Sequence, residues 1–113
     1  MINDQDKVFL VSEVWLKPGM FDCMKHYRIR IIEILERFEA EYIYYGHPFD
    51  WVFKADGSDY PTGIEIIQFP SGEIARKVIK IISSDDLLKL QNDIFSKVRS
   101  YLSRYAPPIG LKE

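Results

Sequence analysis

Two histidines and one cysteine carry the most versatile side-chain chemistry in this 113-residue sequence. Histidine titrates near neutral pH and serves as a general acid or base, so His26 and His47 are candidate catalytic residues. Each also has a structural interpretation. His26 borders the apolar stripe of a predicted helix, and His47 lies in a turn between a glycine and a proline. Cys23 lies near the same stripe with only His26 nearby to activate it, which predicts a buried, unreactive thiol.

No spacing of potential ligands in the sequence indicates a metal site. The two histidines have no acidic partner at a ligand spacing, and Glu33 and Glu65 add no recognisable pattern. The sequence also lacks a G-x-G-x-x-G fingerprint, a Walker loop, a Cys-x-x-Cys pair and a serine-centred elbow. We therefore expect no metal and no organic cofactor.

Polar residues interrupt two strand-like segments whose odd and even positions are otherwise both apolar. Glu13 and Ser12 lie in the first segment, and Glu65 and Gln68 lie in the other. A carboxylate on a buried sheet face is costly unless it is paired. These side chains therefore either face solvent near a strand end or mark a polar pocket, and the sequence leaves both alternatives open.

Aromatic residues concentrate between positions 42 and 60. Such a cluster either fills the core and the edge of a dimer interface or forms the wall of a pocket for a flat ligand. We predict that a substrate-binding site combines residues of this region with a helix face and a strand. Its predicted members are Tyr27, Tyr45, His47, Trp51 and Glu65.

Composition excludes several classes of protein. A net charge of −2 gives little attraction to nucleic acid, and 47% hydrophobic residues argue against disorder. The single cysteine rules out an intrachain disulfide, and no apolar run approaches the roughly 20 residues of a membrane span. The acidic start of the chain is unlike a signal peptide. We expect one cytoplasmic domain over 1–113, with tails at 1–6 and 106–113, that binds neither nucleic acid nor membrane.

Hydrophobic periodicity predicts alternating strands and helices. Pro70 and Ser71 separate a strand from a helix, because proline cannot donate to a sheet and serine caps a helix well. The predicted elements are a strand at 8–16, a helix at 19–39, a strand at 42–45 that 49–53 extends, a strand at 64–69, a helix that begins after Ser71, and a short helix through about 91.

Residues 97–105 fit two structures. Their apolar spacing favours a continued helix, whereas strand count favours a strand, because three strands would leave a sheet edge open. We choose the strand. The predicted order is then β-α-β-β-α-β, a ferredoxin-like α+β fold with a four-stranded antiparallel sheet and two main helices on one face.

Several short segments resemble a bacterial family of unknown function in the dimeric α+β barrel superfamily. They are Tyr27-Arg28, the stretch AEYIYYGHP at 40–48, IQFPS at 67–71 and Ala75-Arg76. The superfamily includes antibiotic-biosynthesis monooxygenases, muconolactone isomerases and haem-degrading monooxygenases. The resemblance implies a ferredoxin-like monomer whose sheet packs on the sheet of a partner.

Two hypotheses for function follow. The first is a homodimer that binds a small aromatic or polyketide-like molecule and acts as a cofactor-independent oxygenase or isomerase. The second is a non-catalytic dimerisation module. Strands one and three are apolar on both faces, whereas two helices cover only one face, which independently predicts a dimer through the sheet.

Overall fold

The computed structural model describes residues 6–52 and 59–105. Within these ranges the helices form one layer that packs on a single sheet. The strands form one antiparallel sheet in the order β2-β3-β1-β4. This confirms the predicted ferredoxin-like α+β order. The expected tails at 1–6 and 106–113 lie outside the described residues, except for Asp6. The elements are β1 (Val8–Leu16), α1 (Phe21–Arg37), β2 (Glu41–Gly46), β3 (Gly63–Phe69), α2 (Gly72–Ile82), α3 (Asp85–Ile94) and β4 (Phe95–Arg104).

The C-terminal segment is a strand, as strand count predicted. Strand β4 begins immediately after Ile94 and pairs with β1 from Val8 opposite Arg104 to Leu16 opposite Phe95. The apolar residues of this segment are spaced as in a helix, but the segment forms a strand because it pairs with β1. The pairing gives β1 a full ladder of backbone hydrogen bonds along its second edge. Pairing across the chain therefore decides the structure of a segment with mixed local signals.

The predicted extension of β2 through 49–53 is wrong. Residues 49–52 are not in a strand, Phe49 is 87% exposed, and Phe53 lies outside the described residues. Pro48 lacks the N–H that a ladder needs. Strand β2 does contain an irregularity nearer its start, where its pairing with β3 shifts between Tyr42 and Tyr44. This bulge places both Tyr42 and Tyr45 on the face that the helices cover.

The core lies between the helices and one face of the sheet, which we call the inner face. Helix α1 contributes a stripe at helical spacing, and β1 and β3 contribute alternate residues. Phe69, Ala75 and Val78 have no exposed surface. None of the helices in the described ranges is long and apolar enough to cross a membrane. The buried members of the main cluster include Val8, Leu10, Ile31, Ile34, Leu35, Ile67, Phe69, Ala75, Val78 and Leu87.

The other face of the sheet, the outer face, carries an apolar row across all four strands. Val11 of β1 pairs with Ile66 of β3 and with Tyr101 of β4, and Ile66 pairs with Tyr44 of β2. Tyr44 and Tyr101 are each just over half exposed. The two-sided apolar pattern of the strands is thus confirmed, and no helix within residues 6–52 and 59–105 covers the outer side.

The junction between β3 and α2 depends on a serine cap, as the sequence predicted. The Ser71 side-chain oxygen accepts a hydrogen bond from the Ile74 backbone N–H at 3.2 Å. Ser84 begins α3 without such a bond. We expect Ser71→Ala to lower the free energy of unfolding by about 1 kcal/mol and Ser84→Ala by less than half as much. Urea denaturation measures both, and equal losses would contradict the assignment.

Candidate functional site

A row of polar side chains crosses the otherwise apolar inner face. Strand register places Tyr45 of β2 opposite Glu65 of β3, Glu65 opposite Ser12 of β1, and Ser12 opposite Ser100 of β4. The Ser12 and Ser100 hydroxyl groups are hydrogen-bonded to each other at 2.8 Å. Directly opposite residues of neighbouring strands share one face, so this polar row lies on the inner face, and its β4 end at Ser100 is exposed.

A cavity of about 70 Å³ lies over this row, between the inner face and helices α1 and α3. It is smaller than the roughly 150 Å³ cavity that holds a benzene molecule, so its dimensions suit a compact ligand. Apolar walls surround a minority of polar groups, as in many ligand sites. The polar residues that line it are Ser12, Tyr27, Tyr42, Glu65, Gln91 and Ser100, and the apolar ones are Leu10, Val14, Ile31, Ile67, Ile82, Phe95 and Val98.

Glu65 is the ionisable carboxyl group in this cavity, and Arg28 of α1 neutralises it. Arg28 donates from Nε at 3.1 Å and from Nη2 at 2.9 Å, and both bonds reach the same oxygen, Oε1. The two side chains are only 13% and 22% exposed. The other carboxylate oxygen of Glu65, Oε2, receives no hydrogen bond from the guanidinium group.

Burial controls the protonation of the site. It raises the pKa of Glu65 above its ordinary value, and the nearby Arg28 guanidinium opposes part of this shift. Burial, with the negative charge of Glu65, also raises the pKa of Tyr27 to about 12 and displaces the pKa of Tyr42 upward. Both tyrosines therefore remain neutral hydrogen-bonding groups, while Glu65 is suited to accepting a proton.

Tyr45 connects the site to the protein surface. The Arg28 guanidinium carbon lies 3.8 Å from the centre of the Tyr45 ring, a cation–π contact that holds the arginine in place. The His47 ring packs edge-on against Tyr45 at 4.9 Å, and its Nδ1 lies 3.0 Å from the Thr62 carbonyl oxygen. The Tyr45 hydroxyl group is buried without a hydrogen-bond partner among the described residues.

The structure brings only part of the predicted site together. Tyr27 and Glu65 line the cavity, and Tyr45 lies behind Arg28 beside it. His47 is exposed at the end of β2. Trp51 packs on the Tyr60 ring at 5.7 Å in the following segment, 40% exposed.

Other candidates from the sequence lie away from the cavity. His26 is exposed on α1, and Cys23 is exposed as well, so the prediction of a buried thiol is wrong. Glu13 faces the outer side of the sheet and forms an ion pair with Arg99 at 2.6 Å. Within residues 6–52 and 59–105, no three His, Cys, Asp or Glu side chains are grouped so that they could hold a metal ion.

Sequence reasoning missed Arg28, Tyr42 and Gln91 as site residues. Arg28 had an accessible signal, because it lies four residues after Met24 and three before Ile31, both of which are buried on the same helix face. A cation on a buried stripe is the partner that a buried carboxylate needs. Gln91 accepts a hydrogen bond from the Tyr27 hydroxyl at 3.3 Å, a contact between helices that no local pattern encodes.

No family model and no curated protein matches the sequence. Solved structures match its fold. A protein of unknown function from Rhodopseudomonas palustris has a TM-score of 0.74 and 13% identity, over 92% of this chain and 85% of that one. SnoaB, a cofactor-independent oxygenase from Streptomyces nogalater, gives 0.60 and 9% over 94% and 99% of the two chains.

A protein from Bacteroides thetaiotaomicron, provisionally named an antibiotic biosynthesis monooxygenase, has a TM-score of 0.59 and 14% identity, over 98% of this chain and 99% of that one. At such identities the likeness concerns the fold, and the reaction of a neighbour does not transfer with it. The chain therefore has the ferredoxin-like α+β fold that these unknown-function, oxygenase and monooxygenase-like proteins share, as the resemblance in its sequence implied.

Proposed function

We propose that the protein is a homodimeric α+β barrel that binds a small organic molecule in the cavity beside Glu65. We further propose that it acts there as a cofactor-independent enzyme of the oxygenase or isomerase kind. The observation that carries the proposal is a carboxylate only 13% exposed, held on one oxygen by Arg28, at the edge of a cavity with apolar walls. A core built for stability alone has little reason to bury this pair.

The reaction type is supported by the chemistry of Glu65. Isomerisation, and oxygenation without a cofactor, both begin when a base removes a proton from the substrate. Burial raises the pKa of Glu65, which makes it a stronger base than an exposed carboxylate. In this proposal a C–H or O–H bond of the substrate breaks, its proton moves to Glu65 Oε2, and the electron pair stays on the substrate, while Arg28 holds Oε1 in place. The substrate anion is then reprotonated at another atom in an isomerisation, or reacts with molecular oxygen in an oxygenation. The shared fold with SnoaB is consistent with this assignment.

The dimer is supported by the outer face of the sheet. Its apolar row of Tyr44, Ile66, Val11 and Tyr101 has no helix over it among the described residues. An apolar patch of this kind on a protein surface commonly marks an interface, and a two-fold partner covers it with the same patch. We expect light scattering at low micromolar concentration to give roughly twice the 13.3 kDa of one chain.

A fragment screen tests the binding function. We expect compact fragments to raise the melting temperature in a concentration-dependent way, because a ligand that binds the folded state stabilises it. Ile31 lines the cavity, whereas its neighbour Ile32 points outward and is 37% exposed. Ile31→Phe should fill the cavity and abolish the response, and Ile32→Phe should retain it. Equal responses in the two variants would contradict the assigned site.

The small volume of the cavity favours a second candidate, a non-catalytic dimerisation module. A space of about 70 Å³ holds no more than a few water molecules or one compact ligand. This second function predicts a stable dimer whose melting temperature no fragment changes. The first predicts both the dimer and the fragment response, so the screen distinguishes the two.

A further inference from the structure

We infer that the cavity selects an uncharged ligand no larger than a single small ring, with a hydroxyl or N–H group that donates a hydrogen bond to Glu65 Oε2. This inference deepens the proposed function and rests on it. It follows from the charge balance, the hydrogen-bonding groups and the volume of the cavity, each of which excludes a different class of molecule.

Charge balance excludes ions. Glu65 and Arg28 neutralise each other, and Tyr27 and Tyr42 remain uncharged. A ligand anion would meet the Glu65 carboxylate without a second cation to pair with. A ligand cation would compete with Arg28 for a carboxylate that is already paired. Burying an unpaired charge in this space is costly, so a neutral ligand is favoured.

The hydrogen-bonding groups specify the polarity of the ligand. An ionised carboxylate only accepts hydrogen bonds, so the ligand must donate to it. The other polar groups bond partly to one another, Ser12 to Ser100 and the Tyr27 hydroxyl to Gln91, and their remaining hydroxyl and amide protons cannot satisfy a carboxylate that they do not contact. An acceptor-only molecule, such as a ketone, could accept a bond from the hydroxyl or amide groups but would leave Glu65 Oε2 without a donor. The site therefore favours an alcohol or an N–H compound over a ketone of the same shape.

Volume limits the size of the ligand. The cavity measures about 70 Å³, and the walls that face each other come from both layers of the fold, including Ile31 of α1 and Val14 of β1. Closely packed layers resist the insertion of a larger group. A fused-ring ligand would require the helices to move well away from the sheet, whereas a five-membered ring requires a smaller displacement of the walls.

Matched probes test the inference on the full chain. Cyclopentanol, cyclopentanone, cyclopentylammonium and cyclopropanecarboxylate are similar in size but differ in charge and hydrogen bonding, and 2-naphthol tests size. We expect cyclopentanol to perturb the backbone amide resonances of Ser12, Glu65 and Ser100, which belong to the polar row. Its affinity should exceed that of each other probe by about tenfold or more, because a site that pairs with a hydroxyl rejects analogues that lack one.

Variants give the test a second readout. Glu65→Gln introduces an amide that also donates, so the preference for cyclopentanol over cyclopentanone should disappear or reverse. The control is Glu73→Gln, since Glu73 is 81% exposed on α2, and it should leave the preference unchanged. Tighter binding of 2-naphthol or of an ion at the same resonances would overturn this inference but leave small-molecule binding intact. No response to any probe or to the fragment screen would overturn both.

Discussion

Arg28→Met should lower the free energy of unfolding by about 2–3 kcal/mol. The substitution keeps an unbranched side chain on α1 but leaves Glu65, only 13% exposed, without its cation, and an uncompensated charge with so little exposure is destabilising. The loss should fall below the roughly 3–5 kcal/mol of fully buried pairs, because Arg28 is 22% exposed. Arg30, exposed on the same helix, supplies the control, and Arg30→Met should change stability by less than about 0.5 kcal/mol.

A double-mutant cycle and its pH dependence identify the cause. Adding Glu65→Gln to Arg28→Met removes the unpaired charge, so the double variant should be more stable than the sum of the single losses implies. Burial raises the pKa of Glu65, so its contribution to stability is present below its unfolded pKa and is lost as pH rises through the folded pKa. Without Arg28 this pKa rises further. The penalty of Arg28→Met should therefore shrink as pH falls toward about 4, and a penalty independent of pH would contradict the account.

Ile66→Lys should dissociate the proposed dimer. Ile66 lies in the middle of the outer apolar row, between Tyr44 and Val11. A two-fold interface buries the new ammonium group twice, and each unpaired charge costs several kcal/mol. We expect the dissociation constant to rise by about a thousandfold or more, so that light scattering reports the monomer at low micromolar concentration.

Ile29→Lys provides the matched control for this experiment. Ile29 is 52% exposed on α1, away from the sheet. The same change of side chain there should leave the oligomeric state unaltered and the stability nearly so. If Ile29→Lys dissociates the protein and Ile66→Lys does not, the interface involves the helices, and the proposed packing of sheet on sheet is wrong.

The strength of local signals explains which parts of the fold the sequence could predict. Strand β1 and the Ser71 cap depend on neighbouring residues, and both lie where their patterns indicate. The bulge between Tyr42 and Tyr44 depends on pairing with β3, so no pattern within β2 itself indicates it. The periodicity of the β4 segment favours a helix. Only the need to cover an open sheet edge predicts the strand that the structure contains.

The same reasoning predicts only part of the candidate site. Glu65 was singled out because a carboxylate in an apolar strand needs an explanation, and the structure supplies one in Arg28. The polar row depends on strand register, which places Ser12 and Ser100 together although 88 positions separate them. His47 and Trp51 are predicted from their residue types and their place at a strand end, and neither settles whether a side chain reaches a cavity.

The position of a bound fragment tests the central claim most directly. Val14 and Val98 line the cavity on the inner face, whereas Val11 lies on the outer face of the same sheet. The fragment with the largest thermal shift should show intermolecular nuclear Overhauser effects to the methyl groups of Val14 and Val98. It should show none to those of Val11. Contacts to Val11 alone would place the ligand on the outer face and contradict the assignment of the cavity beside Glu65 as the binding site.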